Sequence, residues 1–163
     1  TAVATVTNQV RMETYKENSN VFKGWEWSGT LDSKIRPEHL LLDGAMWDFE
    51  GNGLNAKGKK YKFRPAPDGW SCRCILLPIT KSFKELGIDI DEIPVGTRSS
   101  IDGYVSSNLS ASDWFENKSK TFQKEYLGIG RYELYKDGKI TLSDLLNQQG
   151  RYLSVSELKE KYS

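Results

Sequence analysis

The sequence contains one histidine, His39, and two cysteines, Cys72 and Cys74, separated by Arg73. A single histidine excludes the two-histidine zincin motif and any site built from several imidazoles. A Ser-His-Asp or Cys-His mechanism would have to use His39 as its base. Cys72 or Cys74 would then be the thiol nucleophile, yet no local signature of a cysteine hydrolase surrounds either one. Nucleophilic catalysis is therefore not expected. The same residues suit a metal better: two soft thiolates and an imidazole match the tetrahedral nitrogen and sulfur coordination that zinc prefers. A fourth ligand would be a carboxylate, Asp43 or Glu38, or a water. Asp43 follows His39 by four residues, so both can share one face of a short helix. A plain alternative stays open, in which His39 hydrogen-bonds Asp43 or a backbone carbonyl beside thiols buried as small hydrophobes. Cysteines at i and i+2 on a strand are badly placed for a low-strain disulfide, and two are too few for a disulfide scaffold, so both are expected to be reduced.

A second constellation is cationic. Lys57, Lys59, Lys60, Lys62 and Arg64 fall within eight residues, with Tyr61 and Phe63 interleaved. The preceding glycines predict an exposed hairpin or loop. Such a patch can neutralise phosphates in a salt-dependent way, and its aromatics can stack on bases. It can equally be a solvated hairpin whose alternation only marks strand faces. Asp89 and Asp91 could hold a divalent cation or could simply alternate on a strand edge. Gly128-Ile129-Gly130 lacks the third glycine of a dinucleotide fingerprint, and no phosphate-binding loop pattern occurs.

The elements that must position these residues can be read from spacing. Val3, Val6 and Val10 predict a helix within 1–20. WEWSG at 25–29 reads as a strand with Trp25 and Trp27 on one face. Pro37 opens a short helix that Gly44 closes. RPAPDGW is a rigid loop. The continuous apolar run CRCILLPI reads as a central strand buried on both faces, Ile75 and Leu77 included. Residues 81–108 mix one helical turn with loop signals. From Ser110 onward the pattern is helical, with Trp114, Phe115, Phe122, Tyr126 and Leu127 as core positions. A further short helix ends at Asp137-Gly138, Ser143–Leu146 continues helical, and a last helix is opened by the capping box of Ser154 and Glu157. The result is an α+β fold: a small sheet with an N-terminal helix in the first half, and a helical C-terminal half. A boundary near 105–110 would divide it into 1–108 and a helical region, 109–163, packed on or appended to it.

Composition narrows the function classes. The 23 Lys+Arg against 22 Asp+Glu leave a formal charge of +1, which argues against a globally basic nucleic-acid binder. Aromatics at 12% and five Trp argue against disorder. No apolar run approaches membrane-spanning length, and the N-terminus lacks the pattern of a signal peptide. The absence of an initiator Met before Thr1 reads as a piece of a longer or processed protein.

The stretch WEWSGTLDSKIRPEHLLLDG, followed by a Pro-rich loop and WSCRCILLPI, resembles the Mu-F-like phage head morphogenesis family, the minor head proteins of tailed phages. The positions that carry the resemblance are Arg11 and Glu13 in the first helix, Trp25 or Trp27, Asp32, Arg36, His39, Leu42-Asp43-Gly44 and Cys72-Arg73-Cys74. The tail FENKSKTFQKEYLGIGRYELYKDGKITLSDLLNQQGRYLSVSELKEKY resembles the family's common ending. The resemblance thus covers residues 10–80 and 113–162. Some relatives carry Cys-x-x-Cys where this chain has Arg36 and His39, so here Arg36 could instead pair with Asp32 or Asp43.

The resemblance implies a virion component in few copies that acts in head assembly, DNA packaging or ejection. Its partners would be portal or capsid proteins, with DNA as a further contact, and neither a membrane nor a small-molecule substrate. It would sit in the virion interior or portal region, and in the host cytoplasm during assembly. The family is not generally enzymatic, and no cofactor is expected unless zinc occupies His39, Cys72 and Cys74. Asp32, Arg36, Asp43, Gly44 and Arg73 would be structural motif residues. Members usually carry an extra N-terminal helical region, and in some bacteria the domain precedes toxin modules. Two rivals remain: an enzymatic effector, hydrolase or nuclease, using His39, Asp43 and the thiols, and a zinc-stabilised nucleic-acid-binding module.

Overall fold

Alternation at Trp25 and Trp27 places two indoles on one side of strand β1, Phe22–Ser28, and burial of that side organises the first half of the chain. The computed structural model describes residues 2–91 and 93–162; Thr1, Glu92 and Ser163 lie outside the described residues. Two further strands, β2 (Met46–Trp47) and β3 (Ile75–Thr80), flank β1 antiparallel, in the order β2-β1-β3. Trp25 pairs with Trp47, and Trp27 with Leu76. The strand expected to be central is therefore an edge strand. Ile75 and Leu77 are 36% and 40% exposed, while Leu76 and Cys74 are buried. A continuous apolar run implies cover on both faces only in a parallel sheet; this small antiparallel sheet buries one face of β3 and leaves the other in solvent.

The helix predicted within 1–20 is α1, Ala2–Glu17. Val3, Val6 and Val10 are exposed. The packed face is Asn8, Met12 and Tyr15, spaced i, i+4, i+7. Asn8 Nδ2 donates to the Ala66 carbonyl at 2.8 Å, and the Tyr15 ring meets Phe22 edge-on at 4.9 Å.

Helix α2, Pro37–Leu42, begins on its proline and is followed by Gly44 at φ 77°, as the sequence predicts. The basic stretch is not a hairpin: Lys57, Lys59 and Lys60 lie on a short helix, α3 (Ala56–Lys60), and Lys62 and Arg64 follow it in irregular chain. Asn55 caps it by accepting from Gly58 N at 2.8 Å. A Cβ on Gly58 would lie 1.9 Å from the Met46 carbonyl oxygen, so only glycine lets α3 rest directly on the main chain of β2. Trp47 Nε1 secures the contact by donating to the carbonyls of Gly58 at 3.0 Å and Tyr61 at 2.9 Å.

Within 81–108 the chain forms an antiparallel hairpin that turn signals alone did not reveal, β4 (Thr97–Ser100) and β5 (Gly103–Ser106). The helical run after Ser110 divides into α4 (Ala111–Glu116) and α5 (Lys120–Leu127), because Ser119 starts a new helix by accepting from Phe122 N. Then follow α6 (Ile129–Lys136), a 3-10 turn over Leu142–Leu145 and α7 (Val155–Tyr162). Ser154 and Glu157 make the expected reciprocal capping bonds, at 2.8 and 3.2 Å.

The protein is thus α+β, with an N-terminal helix, small antiparallel sheets and a helical C-terminal half. One apolar cluster gathers Trp25, Trp27, Trp47, Cys74 and Leu76. The larger joins Leu31, Ile35, Leu40 and Leu41 to Ala111, Phe115, Leu127, Leu145 and Leu158, so it draws on chain from both sides of position 108. Among the described residues no helix is long and apolar enough to cross a membrane.

Candidate functional site

Three consecutive leucines after His39 anchor α2 in the interior, and the histidine on the same short helix is carried in with them at 2% exposure. Facing it is the segment that leads into β3. Gly69 and Ser71 both adopt positive φ, and Cys72 N donates back to the Gly69 carbonyl at 3.4 Å. This tight turn presents both thiols to the same imidazole nitrogen. His39 Nδ1 lies 3.6 Å from Cys72 Sγ and 3.6 Å from Cys74 Sγ. Among the described residues, these three form the group whose potential ligand atoms converge, all within 4.8 Å of one another. On the opposite side of the ring, Nε2 faces Asp68 Oδ2 at 3.6 Å and has no hydrogen-bond partner. The Trp27 indole closes one flank at 5.4 Å between centroids.

Burial governs the charge of this group. It pushes the imidazole below its usual range, against the upward pull of Glu38 and Asp68. It pushes the Cys74 thiol up to about 12, with the adjacent Cys72 adding to the effect. A catalytic cysteine needs the opposite setting, a depressed pKa in an electropositive, accessible environment. The raised Cys74 thiol thus argues against attack by a thiolate, and it is the convergence of two sulfurs with an imidazole nitrogen that a soft cation could use.

Asp43 does not join this cluster. It caps the C-terminus of α2, where the chain leaves the helix, and its carboxylate, 1% exposed, points elsewhere. It accepts from Gly29 N at 2.7 Å and Ala111 N at 2.8 Å, and from both terminal nitrogens of Arg98 at 3.0 and 2.8 Å. Nor does Arg36 pair with Asp32 or Asp43. It donates to the carbonyls of Asp68, at 3.0 Å, and Trp70. Backbone oxygens win because the Pro-rich loop folds directly over the start of α2. Asp32 instead pairs with Arg73 at 2.6 Å, bracketing the arginine between the two cysteines. Gly44 supplies the left-handed turn that returns the chain to β2.

The cations divide. Lys57 turns inward and donates its Nζ to the Asp43 carbonyl at 2.7 Å. Arg64 pairs with Asp68 at 3.0 Å. Lys59, Lys60 and Lys62 are exposed. Lys60, Lys62, Arg64 and Lys161 line a cleft of about 610 Å³ with Gln148 and Gln149. Asp89 and Asp91 are exposed, outside the convergent group.

Sequence reasoning missed two residues. Arg98 has no local signal, because its partner is 55 positions away. Asp68 does have one, a lone acid in the Pro-rich loop four residues before Cys72.

Residues 1–77 match the family model described as Phage Mu protein F like protein. No curated protein and no solved structure gives a significant match.

Proposed function

We propose that this chain, which over residues 1–77 belongs to the Phage Mu protein F like family, is a phage head protein that works by binding its neighbours in the virion and not by catalysis. The finer reading is that it docks on portal or capsid protein from the head interior. The observation that supports this best is the outward face of α1. Val3, Val6 and Val10 are 80%, 61% and 56% exposed and lie on one stripe, although the opposite stripe packs on the sheet. Exposed apolar residues are ordinary singly, but three in register along a helix make a contact surface. A helix-in-groove contact uses this spacing. Burial raises the Cys74 thiol instead of depressing it as a nucleophile requires, which agrees with a non-enzymatic role.

Co-purification with the portal and major capsid proteins of the same phage tests this reading. The parent chain is expected to be retained on one of them. The triple substitution Val3→Ser, Val6→Ser and Val10→Ser should abolish retention and leave thermal unfolding unchanged. Retention on neither protein, or full retention of the triple variant, overturns it.

The cleft lined by Lys60, Lys62, Arg64 and Lys161 favours a second reading, a weak contact with packaged DNA.

A further inference from the structure

We propose that His39 Nδ1, Cys72 Sγ and Cys74 Sγ bind one zinc ion that ties α2 to the Cys-Arg-Cys turn, with water as the fourth ligand. The distances carry the proposal. Zinc bonds of about 2.3 Å to sulfur and about 2.05 Å to nitrogen, at a tetrahedral angle, separate the two donors by about 3.6 Å. His39 Nδ1 stands at 3.6 Å from each thiol. A thiol–imidazole hydrogen bond could satisfy one of these contacts, but Nδ1 cannot serve both sulfurs equally as a single acceptor. One cation between all three donors accounts for both contacts.

A second observation comes from the other side of the ring. His39 is 2% exposed, and its Nε2 has no hydrogen-bond partner. It nevertheless faces Asp68 Oδ2 at 3.6 Å, and Asp68 is itself held by Arg64 at 3.0 Å. A metal-bound imidazole needs such a carboxylate, which fixes the tautomer by accepting the Nε2–H and raises the basicity of Nδ1. Asp68 would close onto Nε2 by about 0.7 Å to reach hydrogen-bonding distance. Asp68 is thus a positioning residue, and Arg64, counted from the sequence among the cations, belongs to this arrangement.

The ion would join elements that otherwise meet through side-chain contacts alone. Cys72 is only half-buried, which leaves room beside it for a water in the fourth position.

The test is metal analysis of the full chain, purified under reducing conditions with zinc supplied, followed by replacement with cobalt(II). One zinc per chain is expected to survive gel filtration. The cobalt form should show a thiolate charge-transfer band and the intense red-region bands of tetrahedral coordination. His39→Gln keeps both thiols and should lose at least tenfold in zinc affinity against a chromophoric chelator. Asp68→Asn should lose 10- to 100-fold with the same cobalt geometry. Chelation of the parent should lower its melting temperature. Absence of stoichiometric metal in the parent, or of the thiolate band in its cobalt form, overturns the proposal without any variant. Undiminished zinc affinity in a folded His39→Gln protein overturns it as well, since the thiols alone would then be the site. None of these outcomes depends on whether the chain docks on portal or capsid.

Discussion

Asp43→Asn changes one atom in a carboxylate that receives four hydrogen bonds. Two come from the backbone at Gly29 and Ala111, and two from Arg98. The carboxylate is 1% exposed and the guanidinium 17%. An amide keeps one acceptor oxygen but turns an NH2 group toward donors. Each oxygen serves one backbone N–H and one arm of Arg98, so one of each is then left facing another donor, and the guanidinium loses its countercharge. Removing one member of a buried ion pair costs about 3–5 kcal/mol, a large share of the roughly 5–15 kcal/mol that holds a domain. Urea unfolding followed by tryptophan fluorescence measures it, and the midpoint should fall with no change in slope. Arg98→Met should cost a similar amount by leaving the carboxylate unpaired. The double variant should cost much less than the two summed, because each change removes what the other was paired with. A loss below about 1 kcal/mol for Asp43→Asn, or strict additivity in the double variant, would refute the view that these groups act as one unit.

Two further outcomes are expected. The Glu157 carboxyl is held down to about 2 by Arg151 and by the Ser154 N–H, so its titration by NMR should have a midpoint near that value. Because the folded pKa is depressed, its contribution to stability is present above the ordinary carboxylate range near 4.5 and is lost as pH falls toward 2. Glu157→Gln should flatten that part of the stability profile; an unchanged profile would show that the capping box carries no such linkage. Replacing Lys59, Lys60 and Lys62 with Glu should abolish any DNA binding at low salt. Each exposed change should cost no more than about 0.5 kcal/mol in stability. Mobility shifts at two salt concentrations check this, and equal affinity in parent and variant would rule out the basic surface as the contact.

Local signals were the legible part of the sequence. Pro37 and Gly44 bounded α2, Ser154 and Glu157 opened α7, and Trp25 with Trp27 marked β1, because caps, turns and alternation act over a few residues. The meeting of His39 with Cys72 and Cys74 was also anticipated, through residue types of limited chemistry and the family pattern. What failed was the sense of a face. The apolar run of β3 is expected to be buried on both faces, and the valine spacing of α1 marks the helix without saying which side is covered, since hydrophobic spacing reveals that a face exists but not which neighbour covers it. Here Asn8 does the inward work on α1, hydrogen-bonded to the Ala66 carbonyl. Arg36 and Asp43 had their partners misassigned for a related reason: carbonyl oxygens and distant arginines leave no trace in spacing. Arg98 reaches Asp43 across 55 positions, from a hairpin that composition presented as loop.

The footing of α3 on β2 bears on how this surface can change over generations. Its geometry is kept by Gly58, which admits no side chain, by the Trp47 indole bound to two carbonyls, and by the inward Lys57. None of the outward lysines takes part. Substitutions at 59, 60 and 62 can therefore rewrite the charge of the shelf from cationic to neutral or acidic while its shape persists. Charge at those positions can thus change without disturbing the footing of the helix. Position 58 has no such latitude, and a substitution there should be purged whatever the shelf binds.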